Sequence, residues 1–168
     1  MSNELTNKDN PRVLVVCLGN ICRSPTAEAV LRQRAASAGV ALTVDSAGTY
    51  GGHAGATPDA RSRAAGERRG YDFSGIHSRQ VKASDFVDFD IILAADRSNL
   101  ADLKALCPAE HQHKIMLLLS FNGDGEQDTK QDAQQEVPDP YYGGEQGFEQ
   151  VLDLIESACD GLLAQYAK

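Results

Sequence analysis

Hydrophobic residues fall along this chain in two alternating textures, short uniform runs and stretches where they recur every three or four positions. Val13–Val16 is a uniform run of β-branched and leucine residues, the pattern of a parallel strand covered on both faces. Thr26–Ala38 follows with Ala27, Val30, Leu31 and Ala35 at helical spacing until Gly39 ends the pattern. Leu42–Ala47 reads as a second strand, Gly48–Ala56 as loop, and Asp59–Arg69 as a helix stopped by Gly70. Ile91–Ala94 is the next buried strand, Ser98–Leu106 a helix with Ser98 as its cap, and Ile115–Leu119 a further strand. From Phe121 to Gln135 the chain is polar and acidic, which predicts a mobile surface excursion. Gly147–Tyr166 closes the chain as a helix whose buried stripe is Phe148, Val151, Leu152, Ile155, Leu162 and Leu163.

Strands alternating with helices predict an open, doubly wound α/β sheet with its ligand crevice beyond the C-terminal strand ends. With 168 residues and 42% apolar content, one domain is expected, long enough to bury ~70% of its unfolded surface without staples. The net charge of −8 argues against nucleic acid as a partner, and its distribution says more than its size. Residues 120–168 carry eleven acids against Lys130 and Lys168, a balance of −9, so residues 1–119 sum to +1. An anionic substrate would therefore be met by local donors. Arg61, Arg63, Arg68 and Arg69 read as a solvated helix face, with substrate steering as the alternative. Cys17, Cys22, Cys107 and Cys159 show no metal-ligand spacing, the chain opens on a polar segment, and no apolar run approaches the ~20 residues that span a bilayer. A cytoplasmic protein with no metal, no cofactor and no membrane partner is expected.

Candidate chemistry concentrates between the first strand and the first helix, in Cys17-Leu18-Gly19-Asn20-Ile21-Cys22-Arg23-Ser24-Pro25. A loop of this length curls so that successive N–H groups point at one centre, while the positive end of the next helix faces the same point. That ring binds a phosphate and favours a thiolate, which gains donors that the neutral thiol cannot exploit. Arg23 adds a planar fork of donors for two phosphate oxygens. Gly19 and Asn20 tolerate a left-handed backbone in the tight loop, and Pro25 suits a first helical turn. A buried structural cysteine before an ordinary strand-to-helix turn is the plainer alternative.

In Cys17–Pro25, Asp45–Thr49, Asp59–Arg61, His77–Gln80, Ala95–Asn99 and Pro138–Tyr142, taken in order, the chain resembles the low-molecular-weight protein-tyrosine phosphatases. The resemblance implies a three-layer α/β fold with four parallel strands in flavodoxin-like order 2-1-3-4 and helices on both faces. Residues 1–10 are then a flexible N-terminal extension and 11–168 a single phosphatase domain. It implies cofactor-free hydrolysis of phosphotyrosine through a phosphocysteine, with Cys17 as nucleophile, Arg23 as phosphate binder and Asp139 as general acid and base. Leu18, Gly19, Asn20, Ile21, Cys22 and Ser24 form the phosphate loop, and Ser46 and His77 support it from behind. Ser24 would also stabilise the departing sulfur, or cap the helix. Tyr50, Tyr141 and Tyr142 would wall the substrate ring, the tyrosines after the acid also being phosphorylation sites in the family. Relatives commonly place an aromatic directly before the residue equivalent to His53, where this chain has Gly52, so Tyr50 supplies the wall from two positions away. Cys22 would act as a redox partner of Cys17. The implied partner is a phosphotyrosine-containing protein, a tyrosine kinase among the candidates.

Three neighbouring functions differ at identifiable positions. Arsenate reductases of similar fold relay a disulfide through a further cysteine pair, whereas Cys107 and Cys159 stand far apart in sequence. Protein-arginine phosphatases tend to have Thr where this chain has the bulkier Ile21. A phosphoprotein-binding module needs the loop and the arginine but has no use for Asp139.

Overall fold

The computed structural model describes residues 10–121, 136–140 and 145–165. Most of the predicted N-terminal extension, the acidic stretch after Asn122, and Tyr141, Tyr142 and Tyr166 lie outside the described residues. Four strands, β1 (Arg12–Cys17), β2 (Thr43–Gly48), β3 (Ile91–Ala94) and β4 (Ile115–Leu117), form one parallel sheet in the order β2-β1-β3-β4. The chain leaves β1 toward β2 on one side and later returns to place β3 on the other. A crevice opens at that reversal, beyond the C-terminal end of β1, and Cys17 is the last residue of the strand.

Side chains alternate across the pleat, and the two faces bury separate cores. Val13, Val15, Ile91 and Leu93 pack with α1 (Arg23–Ala38), α2 (Ala60–Arg68) and α5 (Glu145–Ala164). Leu14, Val16, Ile92 and Ala94 pack on the other face with Phe86 of α3 (Ala83–Asp88) and Leu103 of α4 (Arg97–Leu106). Each fully buried Leu or Ile contributes ~1.5–3 kcal/mol of transfer free energy, so the two cores set the level of the site rather than merely surrounding it.

Local chemistry explains the helix limits. Gly39 at φ 74° closes α1, and the Asp59 carboxylate caps α2 by accepting from the Arg61 and Ser62 amides. Asp96, not Ser98, caps α4, accepting from the Asn99 amide at 2.8 Å. The hydrophobic run Ile115–Leu119 is strand only to Leu117. Leu118–Phe121 coils into a 3₁₀ turn, held by the Ser120 hydroxyl donating to the Leu117 carbonyl at 2.6 Å. Two short elements escaped the hydrophobic pattern, α3 and a 3₁₀ segment at Ala109–Lys114. The arginines of α2 do more than solvate a face. Arg68 pairs with Glu149 at 3.0 Å, and Arg69 with Glu149, Asp153 and Glu156 at 2.7, 3.0 and 3.0 Å, tying α2 to α5.

Candidate active site

Between the end of β1 and the start of α1 the backbone wraps around the Cys17 sulfur. The amides of Asn20 and Ser24 donate to Sγ at 3.3 and 3.5 Å, and the Ser24 hydroxyl lies 3.1 Å from it. Asn20 takes the left-handed conformation, φ 58°, the one non-glycine residue to do so among those described. Gly19 does not need that freedom. It is small because the His53 ring lies against it, 2.9 Å from where a Cβ would stand. The loop is pinned to its surroundings by main-chain bonds: Thr49 donates to the Cys17 carbonyl at 3.0 Å, Tyr50 to Leu18 at 2.8 Å, and Asp59 to Ile21 at 2.7 Å. Gly48 permits the closest approach, since a Cβ there would stand 2.6 Å from the Leu18 carbonyl.

Behind the loop runs a buried polar relay. The Asn20 amide nitrogen donates to Ser24 Oγ at 2.8 Å and to Ser46 Oγ at 3.0 Å, while its oxygen accepts from the Arg79 main-chain amide at 3.0 Å, which fixes the amide's orientation. The Ser46 hydroxyl in turn donates a hydrogen bond to Glu28 Oε1 at 2.6 Å. With one lone pair of Ser24 Oγ occupied by Asn20, its hydroxyl hydrogen can turn to the sulfur at 3.1 Å or to the Ala47 carbonyl at 3.4 Å, and a Cys17 thiolate, having no hydrogen to give, can only accept it. Ser24 therefore does not cap α1, whose preceding residue Cys22 makes no side-chain cap bond. Burial pushes the Glu28 carboxyl above the usual carboxylate range, with the Ser46 hydroxyl and Arg32 opposing.

His77 stands apart from this relay. It is exposed on the surface, and the neighbouring Ser78 takes the bracing position, donating to the Asn20 carbonyl at 2.6 Å. The Arg79 guanidinium holds the same segment down through Asp85 at 3.0 Å and Asp45 at 3.2 Å.

Arg23 is buried at the loop's far end. Its Nη1 donates to Asp96 at 2.7 Å and to the Val137 carbonyl at 3.0 Å. Burial works against its charge, but Cys17, Asp96 and Asp139 outweigh that effect and hold the guanidinium proton above its ordinary range. The second terminal nitrogen, Nη2, lies 3.6 Å from Asp139 Oδ2. Asp139 is carried between Pro138 and Pro140 on a segment anchored by Val137, whose amide donates to the Ala95 carbonyl at 2.8 Å.

These groups line one pocket of about 320 Å³. Cys17 and Arg23 lie at its floor, Leu18 and Ile21 on its apolar flank, and Tyr50, His53 and Asp139 around its mouth. Tyr50 and His53 meet edge to face with ring centroids 5.8 Å apart. Cys22 also reaches the pocket, and burial pushes its thiol up to about 12, helped by Asp59 and opposed by a hydrogen bond with Ser62. Cys107 and Cys159 are buried on α4's end and in α5. Sequence reasoning assigned no role to Glu28, His53, Ser78 or Asp96. Asp96 and Ser78 sit within segments that carry the family resemblance, whereas nothing in the apolar stripe of α1 singles out Glu28.

Residues 12–168 match the sequence model of the low molecular weight phosphotyrosine protein phosphatase family. The chain is 43% identical to the low molecular weight protein-tyrosine-phosphatase of Streptomyces coelicolor, over 91% of this chain and 92% of that one. It is 40% identical to the Bacillus subtilis phosphatase YfkJ, covering 93% and 96%. Among solved structures, a protein tyrosine phosphatase of Entamoeba histolytica superposes with a TM-score of 0.84 at 43% identity, covering 92% of this chain and 96% of that one. The thiol under its ring of amides, the parallel sheet that presents it and these likenesses across the chain lead to one assignment: this protein belongs to the low molecular weight phosphotyrosine protein phosphatases, hydrolases of protein phosphotyrosine.

Proposed function

We propose that Cys17, Arg23 and Asp139 divide the phosphatase reaction among them. The phosphate of phosphotyrosine lies in the amide ring, two of its oxygens on Arg23, and the Cys17 thiolate attacks phosphorus in line with the tyrosyl oxygen. As the S–P bond forms and the P–O bond breaks, the Asp139 carboxylic acid gives its proton to the departing phenolate. Water then attacks the phosphocysteine, yields a proton to the Asp139 carboxylate, and the P–S bond breaks to release inorganic phosphate. The Ser24 hydroxyl stabilises the sulfur as it leaves. The observation that carries this reading is the convergence of all three side chains on one pocket, with two amides and a hydroxyl already directed at the sulfur.

Asp139→Ala is expected to slow hydrolysis of phosphotyrosine by ~100-fold, and to slow a phosphate ester of a strongly acidic phenol much less, because that phenol leaves without a proton. Equal losses on both esters would remove Asp139 from the proton-transfer step.

The apolar Ile21 at the flank favours a phenyl ring over a guanidinium, which supports phosphotyrosine as the substrate class and a tyrosine kinase as one partner. Tyr50 forms the aromatic wall. No described helix is long and apolar enough to cross a membrane, and action in the cytoplasm is part of the same reading. Cys22 serves as a redox partner. Peroxide oxidises Cys17 to the sulfenic acid, Cys22 attacks that sulfur, and the disulfide forms with release of water, which spares the nucleophile from irreversible oxidation. Burial keeps Cys22 protonated between such events, so it does not compete with Cys17 for phosphorus.

A further inference from the structure

The backbone beneath the pocket's aromatic wall is locked in place. Gly48 donates to the Arg79 carbonyl at 2.9 Å, Val81 to Gly48 at 2.9 Å, and Gly55 to Ser78 at 2.8 Å, while the Gln80 side chain donates to the Thr49 carbonyl at 3.3 Å. Gly51 is packed against that Gln80 side chain. On this fixed base the Tyr50 ring folds back over Gly52, so closely that a Cβ at position 52 would overlap its hydroxyl and ring carbons. Tyr50 is 55% exposed, and its ring is the part of the contact that can turn away. Any side chain at position 52 therefore displaces the Tyr50 ring before it moves the main chain.

We propose that Gly52 is a specificity-determining residue: its missing side chain is the space that lets Tyr50 lie against the pocket and present a ring to the phenyl group of the substrate. The inference rests on Tyr50 being the aromatic wall. Gly52 acts through Tyr50 and touches no reacting atom, so its effect falls on recognition of the ring and not on the phosphate.

Steady-state kinetics on Gly52→Ala, Tyr50→Ala and the double variant test this, with phosphotyrosine as substrate and inorganic phosphate as competitive inhibitor. Both single changes are expected to raise KM for phosphotyrosine by about three- to tenfold, the range of one aromatic contact. The double variant should show no further rise, and the inhibition constant for inorganic phosphate should be unchanged throughout. If Tyr50→Ala has no effect on KM, the wall reading fails. If Tyr50→Ala raises KM but Gly52→Ala does not, or the two effects multiply in the double variant, position 52 does not act through Tyr50 and the inference is overturned. A weakened phosphate inhibition in Gly52→Ala would overturn it too, because the change would then have reached the phosphate loop itself.

Discussion

At the scale of single residues the site depends on close backbone approach and on one relay of hydrogen bonds. Gly48→Ala places a Cβ against the Leu18 carbonyl, a main-chain atom that cannot rotate aside, so the loop must shift. A displacement of that kind is expected to lower kcat/KM by ~100-fold and to weaken inhibition by inorganic phosphate in parallel. The relay makes a more selective prediction. Glu28→Gln keeps an acceptor for Ser46, whereas Glu28→Ala removes it, so the alanine variant should lose ~10-fold in kcat with little change in KM while the glutamine variant stays near wild type. Glu28→Met, which fills the same space without accepting from Ser46, should lose as much as the alanine variant, whereas a packing defect would spare it; rate measurements on the three variants separate the two. Cys17, Arg23 and Ser24 were legible in the sequence because the loop that unites them is one contiguous segment. Glu28, Ser78 and Asp96 were not, because their partners lie 18, 58 and 73 positions away and only the fold brings them together. His77 is the opposite case, a motif residue that is exposed while its neighbour Ser78 bonds the loop.

Among the elements, periodicity disclosed the apolar strands and the striped helices and missed two short polar helical segments. The four strands, the long helices α1 and α5, and α2 and α4 followed from apolar spacing with limits displaced by up to three residues. The six-residue α3 is too short to show a stripe and stands on polar chemistry instead. Asp85, almost fully buried, accepts from the Lys82 amide at 2.9 Å and pairs with the Arg79 guanidinium. Leu118 and Leu119, expected from the sequence to be strand, are buried but leave the sheet, since the chain turns there against α5, where Gly161 leaves room for the Phe121 carbonyl. The clamp on α3 reaches the site, because the amide of the same Arg79 orients Asn20. Arg79→Met leaves the Asp85 carboxylate buried without its main counter-charge, and is expected to destabilise the protein by ~3 kcal/mol in urea unfolding. The exposed ion pairs between α2 and α5 contribute much less, ~0–1 kcal/mol each.

For the molecule as a whole, pH links the buried relay to stability. The folded state raises the proton affinity of Glu28, so it binds that proton more tightly than the unfolded chain does. Stability from this group is then fully present below the ordinary glutamate value of ~4.3 and is lost as pH rises through the raised folded value. Thermal unfolding followed across that window should show the decline in wild type and its absence in Glu28→Gln. The acidic excess sits in the last third of the chain, Arg68 and Arg69 spend their charge on α5, and Arg61 and Arg63 pair locally with Asp59 and Glu67, so the pocket meets a dianion with its own amides and Arg23. The central claim is that a phosphoryl group passes through the sulfur at the floor of that pocket. Rapid acid quench of the enzyme during turnover of phosphotyrosine, followed by mass spectrometry of the intact chain and its peptides, tests it directly. One phosphate per chain, mapped to Cys17 and absent in Cys17→Ser, is the predicted result; phosphate on another residue, or turnover that persists in Cys17→Ser, would contradict it.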